Sequence, residues 1–333
     1  MVGDIAHARA VQRPVPLVTL YLSERCNSRC VTCDYWRHGR VDMTLESVRR
    51  QLPALAALGT QTILVSGGEP LLNREWLAIA QLLRAQGLNL WLLTSGLSLA
   101  KHASRVSELF ESVTVSLDGT NAQTYAAIRG LDAFDKVCEG MRATAALGMT
   151  VQVRVTVQRA NYLEMPDFVA LCRENGARQV SFLAADVSNP HAFGRNLPDG
   201  FADDIALRAE DLPRLAAVLD AMEREQAEDF RAGFIAESPQ KLRRRLLEYY
   251  TAVCGHGAFP EVHCNAPEFS AVVEATGKVR PCFFIPGPEE TAASADLEQT
   301  WRGAAMAQLR ADIRSGQRAE CRTCVCSMWR SLQ

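Results

Sequence analysis

No stretch of this 333-residue chain approaches the roughly eighteen uninterrupted apolar residues that a membrane-spanning helix requires. Met1 to Pro16 carries Asp4, His7, Arg9 and Arg13 with no continuous apolar stretch, so it does not read as a secretory signal. An excess of one charge is also missing. Against 36 Lys and Arg stand 38 Asp and Glu, a net charge of -2 with pI about 6.3, which removes the electrostatic case for nucleic acid as a general partner. Together these absences point to a cytoplasmic protein with neither membrane nor nucleic acid as partner. The length suffices for one large α/β domain plus a smaller appendage, with a sizeable buried core.

Cysteine, by contrast, is plentiful. Eleven cysteines without an export signal argue for metal ligands rather than disulfides, and so for an oxygen-sensitive protein. Cys26, Cys30 and Cys33 form a C-x3-C-x2-C loop directly after the β-like run Leu17 to Leu22. Three thiols on one loop are an incomplete site. An iron-sulfur cubane takes four thiolates, so a triplet implies a distant fourth ligand or an iron left open. A zinc loop is the rival reading, although zinc loops usually contribute C-x2-C pairs and this triplet contains only one.

A second β-rich run, Thr62-Ile63-Leu64-Val65, leads into Ser66-Gly67-Gly68-Glu69-Pro70. C-x3-C-x2-C after a first strand and G-G-E-P after a second resemble the radical S-adenosylmethionine (SAM) superfamily, over residues 15 to 190. The resemblance implies that Cys26, Cys30 and Cys33 hold a [4Fe-4S] cluster and that the amino and carboxylate groups of SAM chelate its fourth iron. It implies that the turn Gly67, Gly68, Glu69, Pro70 meets the SAM amino group. It also implies reductive cleavage of SAM to methionine and a 5'-deoxyadenosyl radical, fed by a flavodoxin- or ferredoxin-type electron donor.

Periodicity orders the rest of the barrel. Met43 to Leu58 repeats apolar residues at helical intervals, with Thr44 and Glu46 as start signals and Pro53 as a point of kinking. Strands follow at 62–66, 88–93, 113–118, 151–157 and 179–184, and helices at 73–86, 99–109, 133–147 and 163–175. Six β-then-α units predict a parallel sheet wrapped by helices. The expected fold class is therefore α/β, a partial (β/α)6 radical SAM barrel with a small C-terminal β-hairpin-plus-helix, cluster-binding domain of the twitch or SPASM type. The segments expected are an extension (1–14), the core barrel (15–205), a helical linker region (206–253) and the C-terminal domain (254–333).

Ligands in such sheets lie at the carboxyl ends of strands. Ser116-Leu117-Asp118-Gly119 resembles the family's S-L-D-G, whose Ser116 and Asp118 positions face SAM or substrate. Thr94-Ser95-Gly96 stands where relatives often carry T-N-G, with Ser95 in place of asparagine. Arg129, in a Y-x3-R-G pattern, and Arg154 on the fifth strand suit a SAM carboxylate, because a guanidinium binds both oxygens in a planar fork. Each could equally be an ordinary salt bridge. Asn161 reads as the cap of the following helix rather than an adenine contact. After the sixth strand a long loop marked by Asn189-Pro190, Gly194, Asn196, Pro198 and Gly200 is of lid or binding-loop length. His191, Phe193 and Arg195 on it read as solvated positions, with substrate contact as the alternative. Helices are expected at 212–228 and 238–250, where Lys241, Arg243, Arg244 and Arg245 read as a solvated face.

Six of the eleven cysteines fall from Cys254 onward. Cys264 and Cys282 flank a hairpin whose arms alternate around Thr276-Gly277, and Cys321-x2-Cys324 follows a helix expected at 299–315. Four such thiolates close a site, structural zinc or iron-sulfur. Beside a radical SAM core the pattern resembles the SPASM and twitch extensions. That implies one auxiliary [4Fe-4S] cluster on Cys264, Cys282, Cys321 and Cys324, with Cys326 as substitute. Cys254, left over, reads as inert or as a hydrogen-atom donor to a substrate radical. Cys138 and Cys172 read as core residues.

The resemblance implies a radical SAM oxidoreductase or modifying enzyme. Hydrogen abstraction from a small polar biosynthetic substrate of sugar, aminocyclitol or nucleoside type, with net oxidation through the auxiliary cluster, is the first reading. Crosslinking or epimerisation of a ribosomally made peptide is the second. The near-immediate start of the first strand leaves no room for a leader-binding domain and weighs mildly against the peptide. An iron-sulfur scaffold or redox sensor is the non-enzymatic reading, and it leaves the G-G-E-P turn unexplained.

Overall fold

A computed structural model describes residues 13–193, 195, 201–288 and 296–331. Gly194, Asn196, Pro198 and Gly200 lie outside the described residues, as does most of the expected extension. One eight-stranded sheet organises the chain: β1 (Leu17–Ser23), β2 (Thr62–Gly67), β3 (Asn89–Thr94), β4 (Ser112–Ser116), β5 (Thr150–Val157), β6 (Gln179–Ala184), β7 (Ser270–Val273) and β8 (Val279–Arg280). Its order is β6-β5-β4-β3-β2-β1-β7-β8. The pairings between these strands are parallel except the β7–β8 hairpin.

The strands alternate, and the alternation makes the lumen polar. On β5, Val151, Val153, Val155 and Val157 are fully buried beneath helices, while Gln152, Arg154 and Thr156 point to the other face. On β1, Val18, Leu20 and Leu22 do the same, leaving Thr19, Tyr21 and Ser23 toward the lumen. Each valine or leucine so buried contributes about 1.5–3 kcal/mol, so the outer seam between strands and helices carries the stability. The inner face is thereby free to bind.

Helix Leu45–Ala57 begins where Thr44 Oγ1 accepts from the Ser47 amide at 3.1 Å, and it runs through Pro53 without ending. Asn161 does not cap the helix after it. Buried, it accepts from the Gln158 amide (2.8 Å) and donates to the carbonyls of Asp118 (3.0 Å) and Thr156 (3.1 Å), tying the ends of β4 and β5 together. A helix not anticipated, Ala122–Arg129, is capped by Asn121 and ends at Gly130 in the left-handed region. The helix expected at 299–315 is two, Leu297–Arg302 and Ala304–Arg314, separated by Gly303.

The C-terminal hairpin is part of the main sheet: β7 pairs along the free edge of β1, Leu17 opposite Ser270 through Leu20 opposite Val273. Leu297–Arg302 packs on helix Leu45–Ala57, where the Leu297 amide meets Gln51 at 3.3 Å and Arg302 donates to the Ala57 carbonyl at 3.1 Å. Cys138 and Cys172 are core residues. Among the described residues no helix is long and apolar enough to cross a membrane.

Candidate cluster and cofactor site

A cavity of about 180 Å³ lies at the carboxyl ends of the strands, lined by Cys26, Cys30, Cys33, Gly67, Gly68 and Ser95, by Ser116, Asp118, Arg129 and Thr156, and by Asp186, Phe193, Arg195 and Val325. Three glycines allow the cysteine loop to be there. Gly68 donates to the Ser23 carbonyl (2.7 Å) and the next amide to the Arg25 carbonyl (2.8 Å). A Cβ on Gly67 would come within 2.3 Å of the Ser23 oxygen, and one on Gly68 within 2.5 Å of the Arg25 oxygen. From the other side Arg29 and Val31 donate to the carbonyls of Arg129 (2.9 Å) and Ile128 (3.0 Å), and a Cβ on Gly130 would lie 2.4 Å from the Arg29 oxygen. The cysteine loop is thus clamped between G-G-E-P and Y-x3-R-G.

Glu69 and Pro70 do not line the cavity. The fully buried Glu69 carboxylate accepts from the Leu71 amide (3.1 Å), Thr94 Oγ1 (2.9 Å), and the Ser95 amide and hydroxyl (both 2.7 Å). Burial raises its pKa against these donors. Its contacts lock the end of β2 to the end of β3, with Ser95 also reaching Asn27 at 3.2 Å. Serine in place of asparagine therefore serves this lock.

Arg129 is buried with Nε 2.8 Å from Asp118 and Nη1 3.4 Å from Cys30 Sγ. Burial opposes its charge, but Asp118 and Cys30 outweigh burial and raise its pKa. Arg154, expected beside it, does not line the cavity. From β5, between Ser116 and Ser181 in register, its charge acts on Cys326 and Lys241, and its buried Nε has no hydrogen-bond partner among the described residues.

Of the three loop residues singled out after β6, Phe193 and Arg195 are folded in rather than solvated, while His191 is exposed. Arg195, with 1% of its side chain exposed, pairs with Asp186 (3.5 Å), donates to the Thr32 carbonyl (3.0 Å) and lies over the rings of Phe193 and Phe201. The Phe193 carbonyl accepts from Cys33 Sγ (3.4 Å) and the Asp34 amide (3.0 Å). Asp186 was not singled out from the sequence, although its place at a strand's carboxyl end was a usable signal. Its Oδ1 takes the Ser188 and Asn189 amides, and its Oδ2 is buried in the cavity wall without a hydrogen-bond partner among the described residues. His191 is exposed and lines a neighbouring opening of about 450 Å³ with Tyr21, Glu24, Tyr35, Glu274 and Lys278; Arg195 borders both.

Cys264, Cys282, Cys321, Cys324 and Cys326 form a second group. Cys264, Cys321 and Cys324 bear on Cys282 or on one another electrostatically, and Cys326 bears on Cys324. The C-terminal segment 328–330 is laced to Asn265 at 2.9 Å, which brings Cys326 back beside Cys264. Cys254 is not in either group: its thiol donates to the Leu207 carbonyl (3.3 Å), outside the cavity.

Both groups suit polynuclear iron. Burial and neighbouring thiols push Cys26 up to about 11 and Cys33 up to about 12, and Cys282 to about 12, so uncompensated thiolates are costly and bound cations would relieve that cost. Among the described residues no three His, Cys, Asp or Glu side chains converge on a single-ion site. Cysteines that each bind their own iron in a cluster need no such convergence.

Residues 20–172 match the Radical SAM superfamily, and residues 264–325 match SPASM, an iron-sulfur cluster-binding domain. A radical SAM domain implies a [4Fe-4S] cluster with SAM, and a SPASM domain implies auxiliary iron-sulfur clusters. Pre-heme d1 synthase of Dinoroseobacter shibae is 33% identical over 170 residues, 49% of this chain and 42% of that protein. AdoMet-dependent heme synthase of Methanosarcina barkeri is 25% identical over 283 residues, covering 81% and 77%. The chain spans about half the length of the first curated relatives it matches. Streptococcus suis SuiB, solved bound to its precursor peptide SuiA, shares the fold with a TM-score of 0.64 at 15% identity, over 91% of this chain and 67% of that one.

Proposed function

The chain carries a radical SAM domain followed by a SPASM domain, and on that premise we propose an enzyme that cleaves SAM reductively and oxidises a small polar substrate, passing the second electron to one auxiliary cluster. One observation supports this reading above the rest: the C-x3-C-x2-C thiols, the Gly67-Gly68 turn and the buried Asp118–Arg129 pair share a cavity whose far wall, Val325, belongs to the second cysteine group's loop. Cys26, Cys30 and Cys33 would hold the catalytic cluster, and Cys264, Cys282, Cys321 and Cys324 the auxiliary one, with Cys326 alongside. When bound, the catalytic cluster supplies the electron that converts SAM to methionine and a 5'-deoxyadenosyl radical, and the protein's task is placement and exclusion of water.

The residues divide that task. Gly67 and Gly68 line the cavity and, lacking Cβ atoms, let the backbone leading into the cysteine loop pack against their turn. Arg129 places a fixed positive charge beside Cys30, and Asp118 keeps it there. Asp186 Oδ2, an unsatisfied acceptor in the wall, suits a hydroxyl or amine donor on a ligand, since leaving it bare costs about 1–3 kcal/mol. Arg195 and Phe193 close the side next to Cys33 and keep solvent out. The adjoining opening, with Tyr21, Tyr35, Glu24, Glu274 and Lys278, offers aromatic and mixed-charge walls that favour a small polar molecule. A peptide is the second reading, favoured by that opening's access to solvent and by the peptide-bound SuiB fold. A flavodoxin- or ferredoxin-type protein would deliver the electron.

Anaerobically reconstituted protein and its Cys26, Cys30, Cys33 triple-alanine variant should be compared for iron, EPR signal and conversion of SAM to 5'-deoxyadenosine. The reading expects about eight irons and 5'-deoxyadenosine from the native chain, and about four irons and none of the nucleoside from the variant. About four irons in the native chain and none in the variant would remove the auxiliary acceptor and with it the oxidative outcome.

A further inference from the structure

Lys241, Arg244 and Arg245 line a cavity of about 170 Å³ together with Tyr249, Glu261, His263, Cys324, Val325 and Ser327. Spacings of three and four place the three cations on one helical face, where like charges repel. The helical stretch that carries them is irregular: Arg243–Glu248 is a π-helical turn between Pro239–Leu242 and Tyr249–Val253, a distortion frequent at functional sites. Arg245 is 18% exposed and donates to the carbonyl (2.7 Å) and hydroxyl (2.9 Å) of Ser327, so its guanidinium is anchored at the cavity floor. Arg244 donates to the Glu261 carbonyl, and Lys241 stands at the exposed mouth.

The acidic groups nearby offset this charge only in part: Glu261 is in the cavity lining, and Glu237 and Cys326 bear on Lys241. Glu237 is committed to Ser181 (2.8 Å) and the Phe182 amide (3.0 Å) and only approaches Arg245 at 3.9 Å, while the exposed Glu261 carboxylate faces His263 at 3.5 Å. Behind the floor Arg154 adds a further cation whose buried Nε has no hydrogen-bond partner among the described residues. Burial first and then the charge of Arg245 lower the Lys241 pKa, with Arg154 adding to the shift and Glu237 and Cys326 opposing it.

We propose that this cavity is an oxyanion-binding subsite that takes a phosphate or carboxylate group. Val325, which is buried, lines both it and the cluster cavity, so an oxyanion held there is one side chain away from the reaction chamber. Its purpose, anchoring the anionic end of the substrate remote from the reacting carbon, rests on the function proposed above; oxyanion binding itself does not.

Inorganic phosphate should be titrated into the anaerobically reconstituted full chain by calorimetry, with acetate in parallel, followed by Lys241→Met, Arg244→Gln and, as a neighbour outside the cavity, Arg243→Gln. Arg243 points away to Asp220 and Glu223. Saturable binding of either anion, weakened at least tenfold by Lys241→Met and by Arg244→Gln and unchanged by Arg243→Gln, is the expected result; the tighter anion identifies phosphate or carboxylate. Lys241 is at the exposed mouth, so its variant keeps the test valid even if Arg244→Gln disturbs folding. No binding by the native chain, or equal loss in all three variants, overturns the proposal. So does a change in the auxiliary cluster's EPR-monitored reduction potential in Lys241→Met without any phosphate or acetate binding, since the cations would then be counter-charges for the cysteine thiolates. Failure of 5'-deoxyadenosine formation with anion binding intact would instead strike the proposed reaction alone.

Discussion

The two cysteine groups are built in opposite ways. Cys26, Cys30 and Cys33 come from one loop of eight residues, held on both flanks by glycines that admit it against backbone at 2.3–2.5 Å from a would-be Cβ. The C-terminal group is gathered from three separate segments around Cys264, Cys282 and Cys321 to Cys326, and these meet because β7 docks on β1 and the C-terminal segment returns to Asn265. A local loop can present ligands before the rest of the chain is in place. The gathered group exists only in the folded protein, and its neighbours are cations, Arg154, Lys241 and Arg245, where the first group has the neutralised pair Asp118–Arg129.

The sharpest way to break this comparison is to empty the gathered group alone. Cys282→Ala with Cys324→Ala should halve the iron content to about four per chain while 5'-deoxyadenosine still forms; iron assay and chromatography read both, and loss of the nucleoside would show that the two groups are not independent. Next in size, Asp118→Ala strips a buried guanidinium of its counter-charge and should cost about 3–5 kcal/mol in chemical denaturation, far more than breaking any of the exposed pairs such as Arg105–Glu108.

Gly68→Ala forces a methyl against the Arg25 carbonyl and should destabilise by about 1–3 kcal/mol, read as a lower midpoint in urea, with a weakened EPR signal from the N-terminal cluster and an unchanged auxiliary signal. Equal weakening of both signals would refute a local clamp. The smallest effect is expected for Cys254→Ser: with its thiol on the Leu207 carbonyl and outside the cavity, stability should move by less than about 0.5 kcal/mol and substrate turnover stay unchanged. A selective loss of product with 5'-deoxyadenosine retained would restore the hydrogen-donor reading.

Residues whose role is local were legible and residues whose role is set by distant partners were not. Thr44 caps its helix because capping needs only the next turn. Asn161 has a capping residue's identity, yet its amide is taken by the ends of two strands. Arg195 lies in a Pro- and Gly-rich loop and looked solvated, but Asp186 and two aromatic rings bury it. Arg154 was correctly placed on β5, and the side of the lumen it serves was not readable, because that depends on where residues some 170 positions later come to rest. Glu69 belonged to a recognisable motif, but its carboxylate turns inward to lock β2 to β3.

The sequence by itself determined the period-two strands, the helical faces, the C-x3-C-x2-C loop with the glycines that make room for it, and the C-terminal hairpin, since each is encoded by neighbours within a few residues. Only the tertiary structure decided that the hairpin extends the barrel sheet through β1, that the late cysteines converge, and that Val325 separates the cluster cavity from a cationic one. The physical reason is that an unpaired strand edge and a polar lumen accept whichever distant segment completes their hydrogen bonds and burial, and that choice is made by the whole chain at once.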